Sequence, residues 1–422
     1  MPGLSELGAL FAPVAARGSL GLAVSGGADS LALLLVASAW ARVTPGVPQL
    51  TIYTVDHGLR PEAANEAAFV AREAARLGLA CRVLRWVDPK PTAGLQAAAR
   101  AARYRLIGEA MRNDGVELLL TAHHRDDQAE TVLMRLAHRS GLGGLRGMDS
   151  FSEVEGVRLF RPFLDVPRAA LAEIVAAAGL VPVADPSNDD VHYERVRWRK
   201  AMPVIGSLGL DAAALTVFAR RVGDADAAIA AWVDDVFGES VKIDGFGAAL
   251  LPVETLPGLP RAVGVKLLGA ILAMIGGAQR PHALAILERV YGRLTAEDDV
   301  RRLTTLGVAL GRQGENFWFA REPGRQAPTP ARLEPRQSLI WDRRFRIDNS
   351  GDLAVEIQMA RALSRRQAEG LIGQRIVAPA LAIRSAPLVQ GGDGRLLALG
   401  AHRFDDSVTV AFSGEYRGVT AN

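Results

Sequence analysis

The first candidate for chemistry is residues 25–30, which read SGGADS and place a glycine pair and an aspartate between two serines. Where a strand ends in such a turn and a helix follows, several backbone N–H groups point at one anion and the helix dipole attracts it. Ser25 and Ser30 add hydroxyl donors for phosphate oxygens. Asp29 would repel phosphate unless a cation lies between them, so the segment predicts a phosphate site that uses Mg²⁺. An ordinary glycine turn with a Ser or Asp helix cap is the alternative.

The second candidate is residues 121–131 (TAHHRDDQAET), where a histidine pair precedes three carboxylates at a predicted helix start. These side chains are His123, His124, Asp126, Asp127 and Glu130. Helix caps and the helix dipole, worth about 0.3–1 kcal/mol per acid, account for one or two of the carboxylates. A functional site accounts for all of them, because carboxylates can hold Mg²⁺ or a cationic amine while a histidine stabilises phosphate charge or moves a proton. The sequence leaves open which acid and which histidine takes each role.

Three further side chains are weaker candidates. His57 follows a predicted strand in the turn 56–60 (DHGLR), at the sheet edge where residues 25–30 also lie. It can contact a nucleotide or be a hydrogen-bonded turn residue, and the sequence does not decide between the two. Arg100 and Arg103 are three residues apart on a predicted helix. They can bind an anion, although arginines on an exposed helix face are often simply solvated.

The elements that must position these residues alternate between short apolar strands and alanine-rich helices. Strands are predicted at 20–25, 49–56, 79–87 and 116–121, and helices from about residue 30 and at 62–77, 95–112 and 126–137. Parallel neighbours need crossover helices, so the alternation predicts an α/β fold with a Rossmann-like parallel sheet between helices. Ligands bind at the carboxyl ends of such strands, where the candidate residues lie.

The rest of the chain predicts two further domains. Helical patterns occupy 167–178, 210–236, 260–276 and 281–294, and a linker follows 322–324. Beyond the linker, strands are predicted at 338–347, 353–358, 396–399 and 407–412, with a helix at 360–371. We therefore predict a catalytic domain at 1–215, a mainly helical domain at 216–330 and a small, β-rich α+β domain at 331–422.

Composition excludes several classes of protein. The chain has 422 residues, 49 Lys and Arg against 46 Asp and Glu, and one cysteine, Cys81. A single cysteine cannot build a disulfide framework, a CxxC pair or a cysteine-based metal site. We find no signal peptide or apolar membrane span, and we expect a cytoplasmic protein. Basic clusters at 191–200 and 325–346 are candidates for nucleic-acid contact, or solvated faces.

The segment SGGADS resembles the phosphate loop of the PP-loop ATP pyrophosphatase superfamily, and no Walker pattern GxxxxGK(S/T) occurs. Within that superfamily the sequence is similar to the tRNA(Ile)-lysidine synthetase family. The strings that carry this resemblance are 25–30 (SGGADS), 56–60 (DHGLR), 99–104 (ARAARY), 121–131, 140–145 (SGLGGL), 161–164 (RPFL) and 185–195 (DPSNDDVHYER). Weaker echoes at 305–307 and 341–345, and at Arg384 and Pro387, extend it towards the end of the chain.

The resemblance implies a ligase that uses ATP and Mg²⁺ on an isoleucine tRNA with a CAU anticodon. Its wobble cytidine is adenylated with release of pyrophosphate, and the amine of free lysine then displaces AMP to form lysidine, which changes codon reading from AUG to AUA. No membrane is involved, and a homodimer is allowed. The residues implied are Ser25, Gly26, Gly27, Ala28 and Ser30 for phosphate, Asp29 and Glu130 for Mg²⁺, Asp127 for the lysine amine, His123 or His124 for the intermediate, Arg195 as a further catalytic group, and His57, Arg100 and Arg103 for nucleotide, phosphate or lysine carboxylate.

One position departs from the family pattern, since Val196 follows Arg195 where we expect asparagine. Trp198 beside basic residues fits RNA stacking or the core of an amphipathic helix. The strand- and arginine-rich end of the chain resembles the family's tRNA-binding module. The rivals are a tRNA thiolase, which the single cysteine disfavours, an amide-forming synthetase, and a catalytically silent tRNA-binding protein.

Overall fold

The computed structural model describes residues 4–44, 46, 48–183, 190–277, 283–296, 300, 302–322, 324 and 327–414. Residues 185–189 of the predicted motif 185–195 lie outside the described residues, as do 281–282 of the predicted helix 281–294. The chain divides into two compact units, with the division after Ala225. The three-domain division at 215 and 330 stays a proposal.

The first unit is an α/β layer structure. Its strands are β1 (Ser19–Ala23), β2 (Gln49–Asp56), β3 (Ala80–Arg85), β4 (Leu119–Leu120), β5 (Phe151–Val154) and β6 (Val157–Phe160). Its helices are α1 (Leu4–Phe11), α2 (Ala28–Val43), α3 (Ala63–Arg76), α4 (Leu95–Asp114), α5 (Arg125–Ala137), α6 (Leu142–Leu145), α7 (Arg168–Ala177) and α8 (Glu194–Ser207), and α9 (Ala212–Ser240) runs across the division.

The sheet has the strand order β3-β2-β1-β4-β6-β5. β1, β2, β3, β4 and β6 pair in parallel, and β5 joins the edge antiparallel to β6. The predicted Rossmann-like parallel sheet is therefore confirmed. Strand order reverses at β1, because β2 lies on one side of it and β4 on the other, and this is where open α/β sheets bind ligands.

Apolar burial explains why these segments fold as they do. Leu20 and Leu22 on β1 are fully buried, since β1 is a central strand with helices on both faces. α2 packs against this strand and buries Leu31 and Leu34 completely, and Trp40 stacks on Phe11 with ring centroids 4.6 Å apart. Each buried leucine contributes about 1.5–3 kcal/mol. The helix that begins at the phosphate loop is thus anchored along its length.

The second unit combines helices with antiparallel sheets. Its further helices are α10 (Arg261–Gly276), α11 (Leu284–Ala296), α12 (Arg365–Ile372) and α13 (Ala380–Ser385). Its strands are β7 (Lys242–Ile243), β8 (Ala249–Pro252), β9 (Leu303–Thr305), β10 (Val308–Gln313), β11 (Asn316–Arg321), β12 (Ala331–Leu333), β13 (Ser338–Trp341), β14 (Phe345–Asn349), β15 (Val355–Met359), β16 (Pro387–Gly391), β17 (Leu396–Leu399), β18 (His402–Arg403) and β19 (Val408–Phe412).

Two features of this unit differ from the expectation. The segment predicted as mainly helical also holds a five-stranded sheet in the order β7-β8-β11-β10-β9. The local sequence pattern did not predict this sheet, because its strands are short and pair over long distances in the chain. The single strand predicted at 338–347 is two strands, β13 and β14, because Asp342 and Arg343 form a turn with φ of 50° and 57°.

Among the described residues, no single helix has both the length and the apolar character of a membrane span. The bent pair α8 and α9, with 98° between its members, meets the two criteria only when taken together.

Candidate active site

The candidate residues of the first unit gather where β1, β4 and β6 end. Between β1 and α2, Gly26 has a φ of +86°, and a Cβ there would lie 2.9 Å from the side chain of Val183. Only glycine satisfies both constraints without strain. The carbonyl of Gly26 accepts the N–H of Val183 at 3.0 Å, so the chain that follows α7 holds this loop in place.

The serines of this loop shape it as well as line it. Ser30 donates its hydroxyl to the carbonyl of Gly27 at 2.9 Å and accepts the N–H of Ser25 at 3.1 Å. The hydroxyl of Ser25 lies 3.3 Å from that of Ser30. Gly27 is the N-cap of α2, so the first N–H groups of the helix face the loop. The predicted role of these residues in holding phosphate stays a prediction.

Asp29 carries the unmatched polar atom of the loop. Its Oδ2 lies 3.5 Å from Nε2 of His124, and its Oδ1 is 3.9 Å from Nε of Arg168. Oδ1 is buried and has no hydrogen-bond partner among the described residues. Burial acts to raise the pKa of Asp29, but the hydrogen bond and charge of His124, together with Arg168, hold the pKa below its usual value. An ionised, unpartnered carboxylate oxygen beside a phosphate loop fits Mg²⁺, which takes one or two carboxylates and completes its shell with phosphate and water.

His124 organises the start of α5. Its Nδ1 accepts the N–H of Asp127 at 3.3 Å, and Asp127 Oδ2 accepts the N–H of His124 at 3.1 Å, which forms a reciprocal capping box. Burial acts to lower the pKa of His124, but Asp29, Asp127 and Asp126 raise it above the ordinary value. His124, which is 1% exposed, therefore joins the phosphate loop to the acidic helix.

His123 lies in a different electrostatic environment. Its Nδ1 is 2.9 Å from the hydroxyl of Thr121. Burial, with the charges of Arg161, Arg195 and Arg100, lowers the pKa of His123 to about 3. It is a neutral imidazole at physiological pH and can donate or accept one hydrogen bond there. The two adjacent histidines thus differ in charge preference because different groups surround them.

The acids of α5 are paired with arginines of α8. Arg195 binds Asp127 through Nη2 at 2.8 Å and Glu130 through Nε at 2.6 Å, and Arg199 binds the other oxygen of Glu130 at 2.7 Å. Glu130 is 2% exposed. Both of its oxygens accept from guanidinium groups, and the Mg²⁺ role that the sequence predicted for this residue stays a prediction. Among the described residues, no group of three or more His, Cys, Asp or Glu forms a candidate metal cluster.

The weaker candidates contact one another or neighbouring side chains, and Arg100 also acts on His123 through its charge. Nε2 of His57 lies 3.3 Å from Nη2 of Arg103, and burial, then the charge of Arg103, lowers the pKa of His57 to about 4. The guanidinium of Arg100 lies 5.1 Å from the ring centre of Tyr104. Asp126 accepts the backbone N–H of Arg168 at 2.9 Å, so it acts as a helix cap for α7 in addition to its place in the motif.

Three residues that complete the site were not predicted to belong to it, although Arg199 lies in the basic cluster 191–200 that was a candidate for nucleic-acid contact. They are Arg161, which is 6% exposed, Arg199, and Gln128, which exchanges two hydrogen bonds with the backbone of Met148. Arg161 stands directly after β6, and that position was the available signal, because it is a strand end at the ligand edge. The pairing of Arg199 with Glu130, 69 residues away, left no local signal.

Comparison with known proteins gives a consistent result. Residues 4–205 match the family model described as a PP-loop domain. The chain is 46% identical over 318 residues to the tRNA(Ile)-lysidine synthase of Methylobacterium nodulans, an alignment that covers 74% of this chain and 93% of that protein. It is 40% identical over 331 residues to the tRNA(Ile)-lysidine synthase of Rhodopseudomonas palustris, covering 76% and 96%. A solved U34-tRNA thiolase from Methanococcus maripaludis covers 52% of this chain and 76% of its own, with 14% identity and a TM-score of 0.45.

Proposed function

The chain belongs to the tRNA(Ile)-lysidine synthase family, and on that basis we propose that it joins lysine to C2 of the wobble cytidine of an isoleucine tRNA with a CAU anticodon. ATP is converted to AMP and pyrophosphate. The observation that carries the proposal is the phosphate loop with the ionised, half-partnered Asp29 next to a helix start that holds Asp127. The reaction needs these two parts, one for activation and one for the incoming amine.

In the first step, O2 of the cytidine attacks the α-phosphate of ATP and pyrophosphate leaves. The glycine turn and the N-terminus of α2 hold the leaving group, because unpaired N–H groups and the helix dipole stabilise negative charge. Asp29 would hold Mg²⁺, and the ion supplies charge neutralisation for the phosphates when it is bound. His124 keeps the carboxylate of Asp29 ionised and oriented.

In the second step, the ε-amine of lysine attacks C2 and AMP leaves. The amine arrives protonated and must lose a proton before it can act as a nucleophile. We assign Asp127 to bind this amine and to accept the proton. The lysine ammonium would replace the guanidinium of Arg195 on Asp127, and Glu130 would keep Arg195 and Arg199 in place.

His123 has a role that its neutral state permits. A half-buried imidazole with a pKa of about 3 is a poor general acid at neutral pH, because almost none of it is protonated. We assign it to hydrogen bonding with the adenylated cytidine, with Thr121 fixing its ring. His57, Arg100 and Arg103 border this space and contact nucleotide, phosphate or amino acid.

The rest of the chain is proposed to select the tRNA. Segment 331–422 exposes arginines that pair with acids at the surface, as Arg346 does with Asp348 and Arg395 with Asp405. Such exposed pairs are weak, so RNA phosphates can compete for the arginines. From the family resemblance we also propose a homodimer and a cytoplasmic location.

The test is lysine incorporation. The protein is incubated with transcripts of the isoleucine tRNA, ATP, Mg²⁺ and labelled lysine, and the label on tRNA is measured together with AMP and pyrophosphate. The proposal expects one lysine per tRNA and one AMP per lysine, and a C34→U transcript serves as the control that accepts none. Consumption of ATP without lysine transfer to the cytidine-containing transcript would rule the function out.

A further inference from the structure

Positive charge from three arginine side chains acts on His123. The guanidinium groups of Arg100, Arg161 and Arg195 all act on the imidazole. Arg195 is neutralised by Asp127 and Glu130, but neither Arg100 nor Arg161 forms an ion pair with a carboxylate in the described part of the chain. Two cationic side chains there are available to an anionic ligand.

The sheet places Arg161 beside His123. Leu120 of β4 pairs with Phe160 of β6, the N–H of Thr121 donates to the carbonyl of Phe160 at 3.0 Å, and His124 bridges to Phe163. The segments 121–124 and 161–163 therefore leave the sheet side by side. The strand pairing therefore fixes the position of Arg161 at this edge of the sheet, unlike that of a surface arginine.

The bonding of Arg161 indicates a small ligand. Its Nη1 donates to the carbonyl of Asp149 at 2.7 Å, whereas its Nε is buried and has no hydrogen-bond partner among the described residues. A buried guanidinium with an unsatisfied donor is costly and calls for a partner. Arg161 is 6% exposed, so an RNA backbone cannot surround it, whereas its planar guanidinium suits a small carboxylate.

The two ends of this region have opposite polarity. Asp127 offers a carboxylate and contacts Arg195, while Arg161, Arg195 and Arg100 act on His123 as cations. A free amino acid that carries an ammonium at one end and a carboxylate at the other complements both. The ATP phosphates have their own site at the glycine turn.

We propose that Arg161, supported by Arg100, binds the α-carboxylate of the lysine substrate and so selects an amino acid over the diamine of the same length. This inference rests on the proposed function, because it names the second half of that substrate's site. Arg161 is then a specificity-determining residue that contacts substrate, and Arg100 closes the site from α4.

The test compares L-lysine with 1,5-diaminopentane, which has the same reactive amine and lacks the carboxylate. Transfer to tRNA is measured for the wild type, Arg161→Met, Arg100→Gln and, as a matched control, Arg158→Gln, an exposed arginine on β6, the strand that Arg161 follows. We expect Arg161→Met to lower kcat/KM for lysine by roughly 10- to 100-fold through KM, as the loss of a charge-assisted hydrogen bond predicts. Transfer of the diamine should be unchanged, and the control should match the wild type for both amines.

Equal losses for lysine and the diamine would overturn the inference, as would slower pyrophosphate release in the absence of lysine, which would indicate a phosphate site. If Arg161→Met does not fold, Arg100→Gln carries the same comparison with a smaller expected loss for lysine alone. A wild type that transfers lysine and the diamine equally well contradicts the carboxylate site and leaves the proposed function standing. A wild type that transfers neither contradicts both.

Discussion

At the scale of single residues, one histidine contacts both of the acids to which we assign the two steps of the reaction. Nε2 of His124 lies 3.5 Å from Asp29 and 3.4 Å from Asp127, while its Nδ1 caps α5. Asp29 belongs to the phosphate loop and Asp127 to the acidic helix. Their common contact with His124 holds them close together, although residues 30–126 lie between them in the chain. The two proposed steps can therefore share one site.

Replacing each of the two acids should affect the two steps of the reaction differently. Asp29→Ala removes the carboxylate that fits Mg²⁺, and we expect adenylate formation to fall by about 10²- to 10³-fold, as for loss of a main electrostatic contact in a transition state. Asp127→Ala should leave most adenylate formation and lose most lysine transfer. Rapid-quench measurement of pyrophosphate release and lysine incorporation gives both rates. Equal loss of the two steps in both variants would refute the division of roles.

His123 should reveal its burial through pH. Its pKa of about 3 in the folded protein is below the unfolded value of about 6.5, so protonation favours the unfolded chain. The contribution of His123 to the free energy of unfolding is complete above about pH 6.5 and decreases as the pH falls towards 3. At pH 5 the loss is on the order of 2 kcal/mol.

The measurement is the free energy of unfolding at pH 7 and pH 5 for the wild type and His123→Gln. The variant should lose less stability between these two values. The difference isolates His123, because burial, with Arg103, lowers the pKa of His57 in both proteins. Identical losses would contradict a neutral, half-buried imidazole at His123.

At the scale of elements, helix α5 carries or positions several residues of the site. It begins at the strand edge with His124 as its cap, carries Asp127, binds α8 through Glu130, and holds the backbone at Met148 through Gln128. One helix therefore sets the positions of groups from two other segments. This explains why Asp127 and Glu130 are buried there, where an exposed face would be usual.

Glu130 tests whether that helix is held by arginines or by a metal. Glu130→Gln leaves Arg195 and Arg199 without their shared carboxylate, and we expect a loss of about 3–5 kcal/mol in the free energy of unfolding, measured in urea. Glu173→Gln on α7, an exposed acid, is the control and should change little. Unchanged stability combined with abolished adenylation would instead support the Mg²⁺ role that the sequence predicted.

At the scale of the whole molecule, the sequence predicted the parts that obey local rules. The strand 49–56 and the helix from 95 follow directly from apolar runs and alanine-rich periodicity, and their parallel arrangement follows from the alternation. The phosphate loop was equally readable, because its glycines and serines act on their own backbone. The chemistry of the loop could therefore be inferred before its position was known.

The rest depended on contacts between distant residues. Nothing near Glu130 indicates that Arg195 and Arg199 will occupy it, and nothing near Arg161 indicates an unsatisfied donor. The sheet β7-β8-β11-β10-β9 was missed for the same reason, since its strands are two to six residues long and its outer strands come from both sides of two helices. Tertiary pairing, and not local propensity, decides such elements.

In the proposed reaction, ATP is cleaved between its α- and β-phosphates to activate a cytidine. The direct measurement uses ATP labelled at the α-phosphate, the isoleucine tRNA and Mg²⁺, without lysine. We predict that label becomes attached to the tRNA as AMP while unlabelled pyrophosphate is released, and that added lysine then discharges the AMP. Formation of labelled ADP, or a tRNA that stays unlabelled while lysine is still incorporated, would contradict the account.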